Sequence, residues 1–309
     1  MSIVIIRQDN KIPNWLDAIK TYASELRVYD YTKPHPKEEI TTVLVWKQPQ
    51  GVFLDYPNLK CIASMGAGVD FIFDDKSLPE NVVITRVVDP MLAEDMSEFV
   101  ASLIFNHLKR LNNYKIEQQN GNWNPIAYQR IRDISIGIMG MGKLGTHTAS
   151  YLEQLNFKVS GWANSPKKID GIKSYTGKEE LSSFLKNTSV LICLLPLTKD
   201  TFGIINKNLL SELPKGAFVI NVARGGHVID EELLEMISNG HISGASLDVF
   251  DNEPLAKEHP FWNTPEIHIT PHIASVSNAS SVIPQIVDNY RRLENGKTML
   301  NTVSSAKGY

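Results

Sequence analysis

Residues 134–139, ISIGIM, form a short apolar run that passes at once into GMGKLG and then into a helical pattern lasting to Leu155. Gly140, Gly142 and Gly145 therefore stand in the spacing G-x-G-x-x-G between strand-like and helix-like sequence. In a strand-turn-helix unit the first glycine permits the tight turn, and the second lets main chain approach a bound phosphate. The third allows helix and strand to pack closely. Phosphates would sit at the positive end of the following helix. A purely steric glycine turn can carry the same letters, but the strand before and the helix after favour dinucleotide binding.

Around this turn the chain alternates in two series. The first runs through residues 3–7, a helical segment at 15–24, and then residues 26–29, 42–46, 60–64 and 82–86. The second begins at residue 134 and continues at 157–162, 189–196, 217–223, 244–250 and 267–270, with helical segments at 179–187 and 230–239. Short β-branched runs separated by helical sequence predict parallel sheets covered on both faces, the βαβ rhythm of doubly wound α/β domains. Residues 91–121 have helical apolar spacing, through Phe99, Leu103, Leu108 and Leu111, and read as one long helix linking the two series. A last helix is expected over residues 281–296, interrupted near its start by Pro284, with the tail returning to the first domain. At 309 residues the chain is long for a single core.

A net charge of −3 gives no broad attraction to nucleic acid or to an anionic membrane. No apolar run approaches the roughly 18 residues of a membrane span, and residues 1–20 lack a basic start followed by an apolar stretch. The expectation is a cytoplasmic protein. Cys61 and Cys193 each lie in an apolar run, form no metal-ligand pair, and read as buried thiols.

In an open α/β sheet, ligands bind beyond the carboxyl ends of the strands, so the residues just after each strand are the informative ones. Arg224 follows AFVINVA, Glu253 lies in the loop after GASLDVF, and His272 follows IHITP. A guanidinium can hold a carboxylate through two parallel hydrogen bonds, which an ammonium cannot reproduce. A carboxylate beside the imidazole would favour its charged form, so that His272 serves as general acid in one direction and general base in the other. Each of the three has an ordinary structural reading as well. That reading is applied outright to His35, His107, His147, His227, His241, His259 and His268.

Across nearly its whole length the chain resembles the D-isomer-specific 2-hydroxyacid dehydrogenase family, through GMGKLG, the string NVARGGHVIDEELLEMISNGHISGASLDVFDNEPL and TPHIAS in that order. Within that family it is most similar to the A-type glyoxylate/hydroxypyruvate reductases, through VWKQP, SMGAGVD, LLPLTKDTFGIIN and the terminal AKGY. The resemblance implies a Rossmann cofactor domain over residues 98–275. It also implies a smaller flavodoxin-like substrate domain, discontinuous over residues 1–97 and 276–309. Arg224, Glu253 and His272 match the family's catalytic positions. Gly66, Ala67 and Gly68 match a loop whose backbone receives the substrate carboxylate, and Trp46 matches a pocket wall, with a core aromatic as its alternative. The cofactor set carried over is Gly140, Gly142, Lys143, Leu144, Gly145, Asn164, Ser165, Lys167, Pro196 and Asp248. A homodimer is implied, and no metal.

The choice of cofactor turns on an absence. NAD-selective folds place an acid about 20 residues beyond the glycine loop, on the ribose 2′-hydroxyl. Here that stretch reads Ala163, Asn164, Ser165, Pro166, Lys167, Lys168, with no acid before Asp170. Asn164, Ser165 and the lysines can donate to a 2′-phosphate that an acid would repel. NADPH is therefore expected over NADH, although the arginines found near Asn164 and Pro166 in the relatives are missing. The expected reaction is reduction of a small 2-oxo acid, glyoxylate or hydroxypyruvate, held in a cleft between domains whose hinges lie near residues 95–97 and 275–281. A reductase for a bulkier 2-oxo acid and a nicotinamide-sensing module with little turnover are the alternatives.

Overall fold

Parallel strands covered by helices on both faces must be apolar throughout, and the N-terminal runs are. All six residues of β1 (Ser2–Arg7) are buried, as are the first six of β3 (Ile40–Trp46). The computed structural model describes residues 2–9 and 11–304; the terminal AKGY, residues 306–309, lies outside them. With α1 (Ile12–Tyr22), β2 (Val28–Asp30), β4 (Cys61–Ser64), α2 (Asp70–Phe73) and β5 (Val83–Thr85), these strands build a five-stranded parallel sheet in the order β2-β1-β3-β4-β5. Strand order reverses between β1 and β3, so their carboxyl ends, Arg7 and Trp46, are neighbours at the switch point where such sheets bind ligands. Ile6, Val43, Val45, Phe53 and Ile62 are among the core residues.

The second series begins with α3 (Pro90–Leu108) and α4 (Leu111–Gln119) and continues through β6 (Ser135–Met139), α5 (Lys143–Gln154), β7 (Lys158–Ala163), β8 (Lys173–Thr176) and α6 (Gly177–Leu185). Then come β9 (Val190–Cys193), α7 (Lys207–Ser211), β10 (Ala217–Asn221), α8 (Asp230–Ser238), β11 (Ile242–Leu247) and β12 (Ile267–Ile269). Its seven strands are all parallel, in the order β12-β11-β10-β9-β6-β7-β8, and the reversal falls between β6 and β9. One core, around Leu191, Val219, Leu233 and Leu247, also holds Phe184 and Phe261; another, around Ile136, Ile192 and Ile220, is covered by Val100, Ile104 and Leu152. The last helix, α9 (Ala279–Glu294), packs against α1. By its internal contacts the chain forms two compact units, Met1–Met91 with Val276–Tyr309, and Leu92–Ser275.

Three details differ from the sequence reading. The long helix over 91–121 is broken, because Arg110 adopts a left-handed backbone (φ 57°) and α4 restarts at Leu111 with no buried residue. The apolar periodicity had a core to face only as far as Leu108. Pro284 does not interrupt α9, which starts earlier, at Ala279, with the Asn278 side chain accepting from Ser280 N; the proline lies within the continuous helix. Strand β8 has no apolar run to mark it, because KSYT is mostly polar, as suits the edge of a sheet.

Candidate active site

In the second unit the residues that follow the strands are bent into place by side chains with no chemical role of their own. Buried Asn221, the last residue of β10, accepts from Ala223 N (3.1 Å) and donates through Nδ2 to Arg224 O (2.8 Å), which turns the chain outward at Arg224. The Arg224 guanidinium also donates to Ala223 O at 2.7 Å. Gly225 comes next because no other residue fits: a Cβ there would lie 1.8 Å from Phe250 C and 2.0 Å from Asp251 N. The loops after β10 and β11 therefore meet backbone to backbone, which brings Arg224 beside the loop that carries Glu253.

Glu253 Oε1 accepts from Phe250 N (3.2 Å), and its two oxygens lie 3.0 and 2.9 Å from His272 Nδ1. The pair is partly sheltered, with 29% of the His272 and 20% of the Glu253 side chain exposed. A carboxylate can only accept, so Nδ1 carries a hydrogen toward it and Nε2 is left as the nitrogen that can give or take a proton. The imidazole is aimed by strained backbone: His272 has φ 54°, a conformation uncommon for a residue with a Cβ. Fully buried Asp248 holds that turn. Its backbone O accepts from His272 N (2.8 Å), and its carboxylate accepts from Thr270 Oγ1 (2.6 Å), Ile273 N (3.0 Å) and Ala274 N (2.9 Å). Both Asp248 oxygens thus work within the chain, a positioning task where the resemblance implied a cofactor contact.

His227, read from sequence as merely structural, is wholly buried with Nδ1 3.0 Å from Arg224 O and Nε2 3.3 Å from Pro196 O. Its ring spans the loops after β9 and β10. Pro196 O also accepts from Thr201 Oγ1 at 2.7 Å, which fixes the turn beyond β9.

The glycine loop has the geometry a dinucleotide requires. Gly140 has φ 104°, and a Cβ there would meet Leu194 O at 2.5 Å. A Cβ at Gly145 would lie 1.9 Å from Gly140 O, whereas one at Gly142 would meet nothing within 4 Å. Two glycines are therefore required by the fold, and the third faces open space at the start of α5, where amide hydrogens converge. Lys143 is exposed there, and Leu144 packs partly into the core. Asn164, Ser165 and Lys167 follow the end of β7, all exposed. The residues fit a dinucleotide bound through its pyrophosphate.

In the first unit, the loop at 65–69 leaves the end of β4. The Trp46 ring fills the space beside Gly66, where a Cβ would fall 2.9 Å from its Cζ3, and packs edge-on against Phe71 with centroids 5.4 Å apart. It is thus a half-buried wall against this loop. Gly66 is not an available donor, because its N–H is given to Ser64 Oγ at 3.1 Å. Ala67 and Gly68, both half-buried, make no N–H hydrogen bond among the described residues.

Burial pushes the Cys61 and Cys193 thiols up to about 12, which leaves neither as a nucleophile. Among the described residues no group of His, Cys, Asp and Glu could hold a metal ion, and no helix is long and apolar enough to cross a membrane.

Residues 101–274 match the D-isomer specific 2-hydroxyacid dehydrogenase, NAD binding domain. Over its full length the chain is 34% identical to the glyoxylate/hydroxypyruvate reductase A of Yersinia enterocolitica, with 100% of both chains covered. The chain belongs to the D-isomer specific 2-hydroxyacid dehydrogenase family. A dehydrogenase of this family from Xanthobacter autotrophicus Py2, solved with NADPH and MES, superposes with a TM-score of 0.94 at 35% identity, covering 100% of this chain and 99% of that one. The NADPH-dependent glyoxylate/hydroxypyruvate reductase of Sinorhizobium meliloti, solved with NADP and sulfate, gives 0.92 at 34% identity with both chains wholly covered. The family's two doubly wound sheets are those observed.

Proposed function

We propose that this member of the family reduces a small 2-oxo acid with NADPH, glyoxylate to glycolate or hydroxypyruvate to D-glycerate. The observation that carries the reading is the His272–Glu253 pair, with Nδ1 2.9 and 3.0 Å from the carboxylate oxygens on the loops beside Arg224. The names of the relatives agree with it: glyoxylate/hydroxypyruvate reductase A at 34% identity, and solved neighbours holding NADPH or NADP.

When bound, the nicotinamide supplies the hydride for the substrate carbonyl carbon; the chain supplies the rest. Gly142 and the first turn of α5 bind the pyrophosphate, with Lys143 and Leu144 alongside. Asn164, Ser165 and Lys167 donate to the 2′-phosphate, and Pro196 belongs to the cofactor side. Arg224 grips the substrate carboxylate with its two-pronged donor and offsets negative charge developing on the carbonyl oxygen, a contribution that can reach several kcal/mol in a water-poor site. His272 Nε2 gives its proton to that oxygen while Glu253 holds the ring and balances its charge. In the first unit, the N–H groups of Ala67 and Gly68 suit a carboxylate, and Trp46 walls the loop that carries them.

We further propose that the protein is cytoplasmic and forms a homodimer. The exposure of Leu111 (55%), Ile116 (42%) and Trp123 (94%) in and after α4 supports a second copy as the cover for this surface.

A steady-state panel of glyoxylate, hydroxypyruvate and bulkier 2-oxo acids against both reduced nicotinamides tests the reading. Turnover of the two small acids with NADPH favoured is expected. Preference for a bulkier acid, preference for NADH, or no turnover at all would each overturn the corresponding part.

A further inference from the structure

The glycine-rich loop at the end of β4 has a keystone, Ser64, to which the resemblance assigned no role. Around residues 64–69 some polar groups are used within the chain and others are left on offer. Met65 N donates to Val45 O (3.0 Å), and Gly66 O accepts from Val87 N (3.0 Å), so the start of the loop is anchored to its neighbours. Ser64, only 1% exposed, uses its whole hydroxyl on the loop. Its Oγ accepts from Gly66 N at 3.1 Å and donates to Gly68 O at 2.8 Å. The peptide ends that Ser64 ties together are those on either side of the two N–H groups, Ala67 and Gly68, that find no partner among the described residues. Beneath the loop, Arg7 at the end of β1 directs Nη1 at Met65 Sδ (3.1 Å). Asp9 holds the same guanidinium through Nε at 2.8 Å and Nη2 at 2.6 Å.

We infer that Ser64 is a positioning residue for substrate, and that the cup it shapes offers two donors, Ala67 and Gly68, with Gly66 serving only to admit the Trp46 ring and close the lacing. Two adjacent N–H groups left without a partner, on a loop tied on either side of them, can serve the two oxygens of a single carboxylate. Presetting matters because a loop ordered only upon binding would lose affinity to the ordering cost. The inference rests on the reductase reading for its substrate, but not for its geometry.

The experiment compares wild type, Ser64→Ala and Ser64→Thr, each saturated with NADPH. The readouts are KM and kcat for glyoxylate and calorimetric binding of oxamate, a carboxylate with an adjacent amide carbonyl that is not reduced. Loss of one hydrogen bond that holds the cup corresponds to about a tenfold rise in both KM and the oxamate Kd for Ser64→Ala. The kcat and the Kd for NADPH should stay within about threefold of wild type, and Ser64→Thr, which keeps the hydroxyl, should recover most of the loss. If Ser64→Ala binds oxamate as well as wild type, or better because Gly66 N–H becomes a third donor, the inference is overturned. It is equally overturned if kcat and NADPH binding fall with KM, since that marks general loosening. A wild type that reduces no 2-oxo acid yet binds oxamate in a Ser64-dependent way would sink the reductase reading and leave the cup standing.

Discussion

Replacing Glu253 by Gln removes one charge while keeping size and shape, and so isolates what the carboxylate does for His272. Both Glu253 oxygens lie within 3.0 Å of Nδ1, and Oε1 also accepts from Phe250 N. A glutamine oxygen at the Oε1 position can still serve both Phe250 N–H and Nδ1–H, but its NH₂ group then faces Nδ1–H, so one contact turns from attraction to donor against donor. A hydrogen bond to a charged group contributes about 1.5–3 kcal/mol, and the partial exposure of both side chains argues against the larger Coulomb figures of a dry interior. A loss of about 2–3 kcal/mol of transition-state stabilisation corresponds to a roughly 30- to 150-fold fall in kcat/KM. The assay is NADPH oxidation with glyoxylate, alongside the Kd for NADPH by fluorescence and a thermal unfolding midpoint. Turnover should fall while cofactor binding and the midpoint hold. A variant within about threefold of wild-type kcat/KM would refute the role assigned to the pair.

Arg224→Lys replaces a fork by a point charge, and kcat/KM for the 2-oxo acid should drop by at least about a hundredfold, a loss of roughly 3 kcal/mol; near-normal kinetics would remove Arg224 from substrate binding. Gly225→Ala forces a Cβ into the Phe250–Asp251 backbone, so calorimetry should show destabilisation of about 3 kcal/mol or more, and an unchanged midpoint would contradict the packing. His107, stacked on Phe218 with centroids 3.8 Å apart, is held down to about 4 from 6.5 by burial first and by Arg110 second. Between those values the unfolded chain binds more protons than the folded one, so stability rises with pH; the contribution is complete above 6.5 and lost as pH falls toward 4. It amounts to at most about 3 kcal/mol. Urea unfolding of His107→Phe should therefore lose less stability than wild type between about pH 7.5 and about pH 5; parallel curves would discount the histidine.

The two sheets were legible because parallel strands buried on both faces need long apolar, β-branched runs, and 134–139 or 217–221 serve for little else. The polar edge strand β8 was lost for the converse reason. The helix over 91–121 shows the limit of periodicity, since apolar spacing continues through Leu111 although the backbone turns at Arg110, and nothing local marks that turn. Arg224, Glu253 and His272 were legible as residues just beyond strands. Ser64, Asp248 and the tie made by His227 were not, because each acts on main-chain atoms brought near by the fold. A serine at the end of a strand, an aspartate after a strand and a histidine after Gly-Gly carry no mark of it.

Taken alone, the sequence determined the class of architecture and the chemistry available to it. The glycine spacing, the strand periodicity and the three side chains after strands are local properties, set by backbone sterics and by what each functional group can donate or accept. The tertiary structure decided the aim of those groups. It set the left-handed turn at His272 under Asp248 and the backbone contact that only Gly225 permits. It also committed Gly66 N–H to Ser64, leaving the N–H groups of Ala67 and Gly68 without a partner among the described residues. Such assignments depend on which carbonyl or hydroxyl lies within about 3 Å of which donor nitrogen. That distance is fixed by packing between segments far apart in the chain, and no local pattern encodes it.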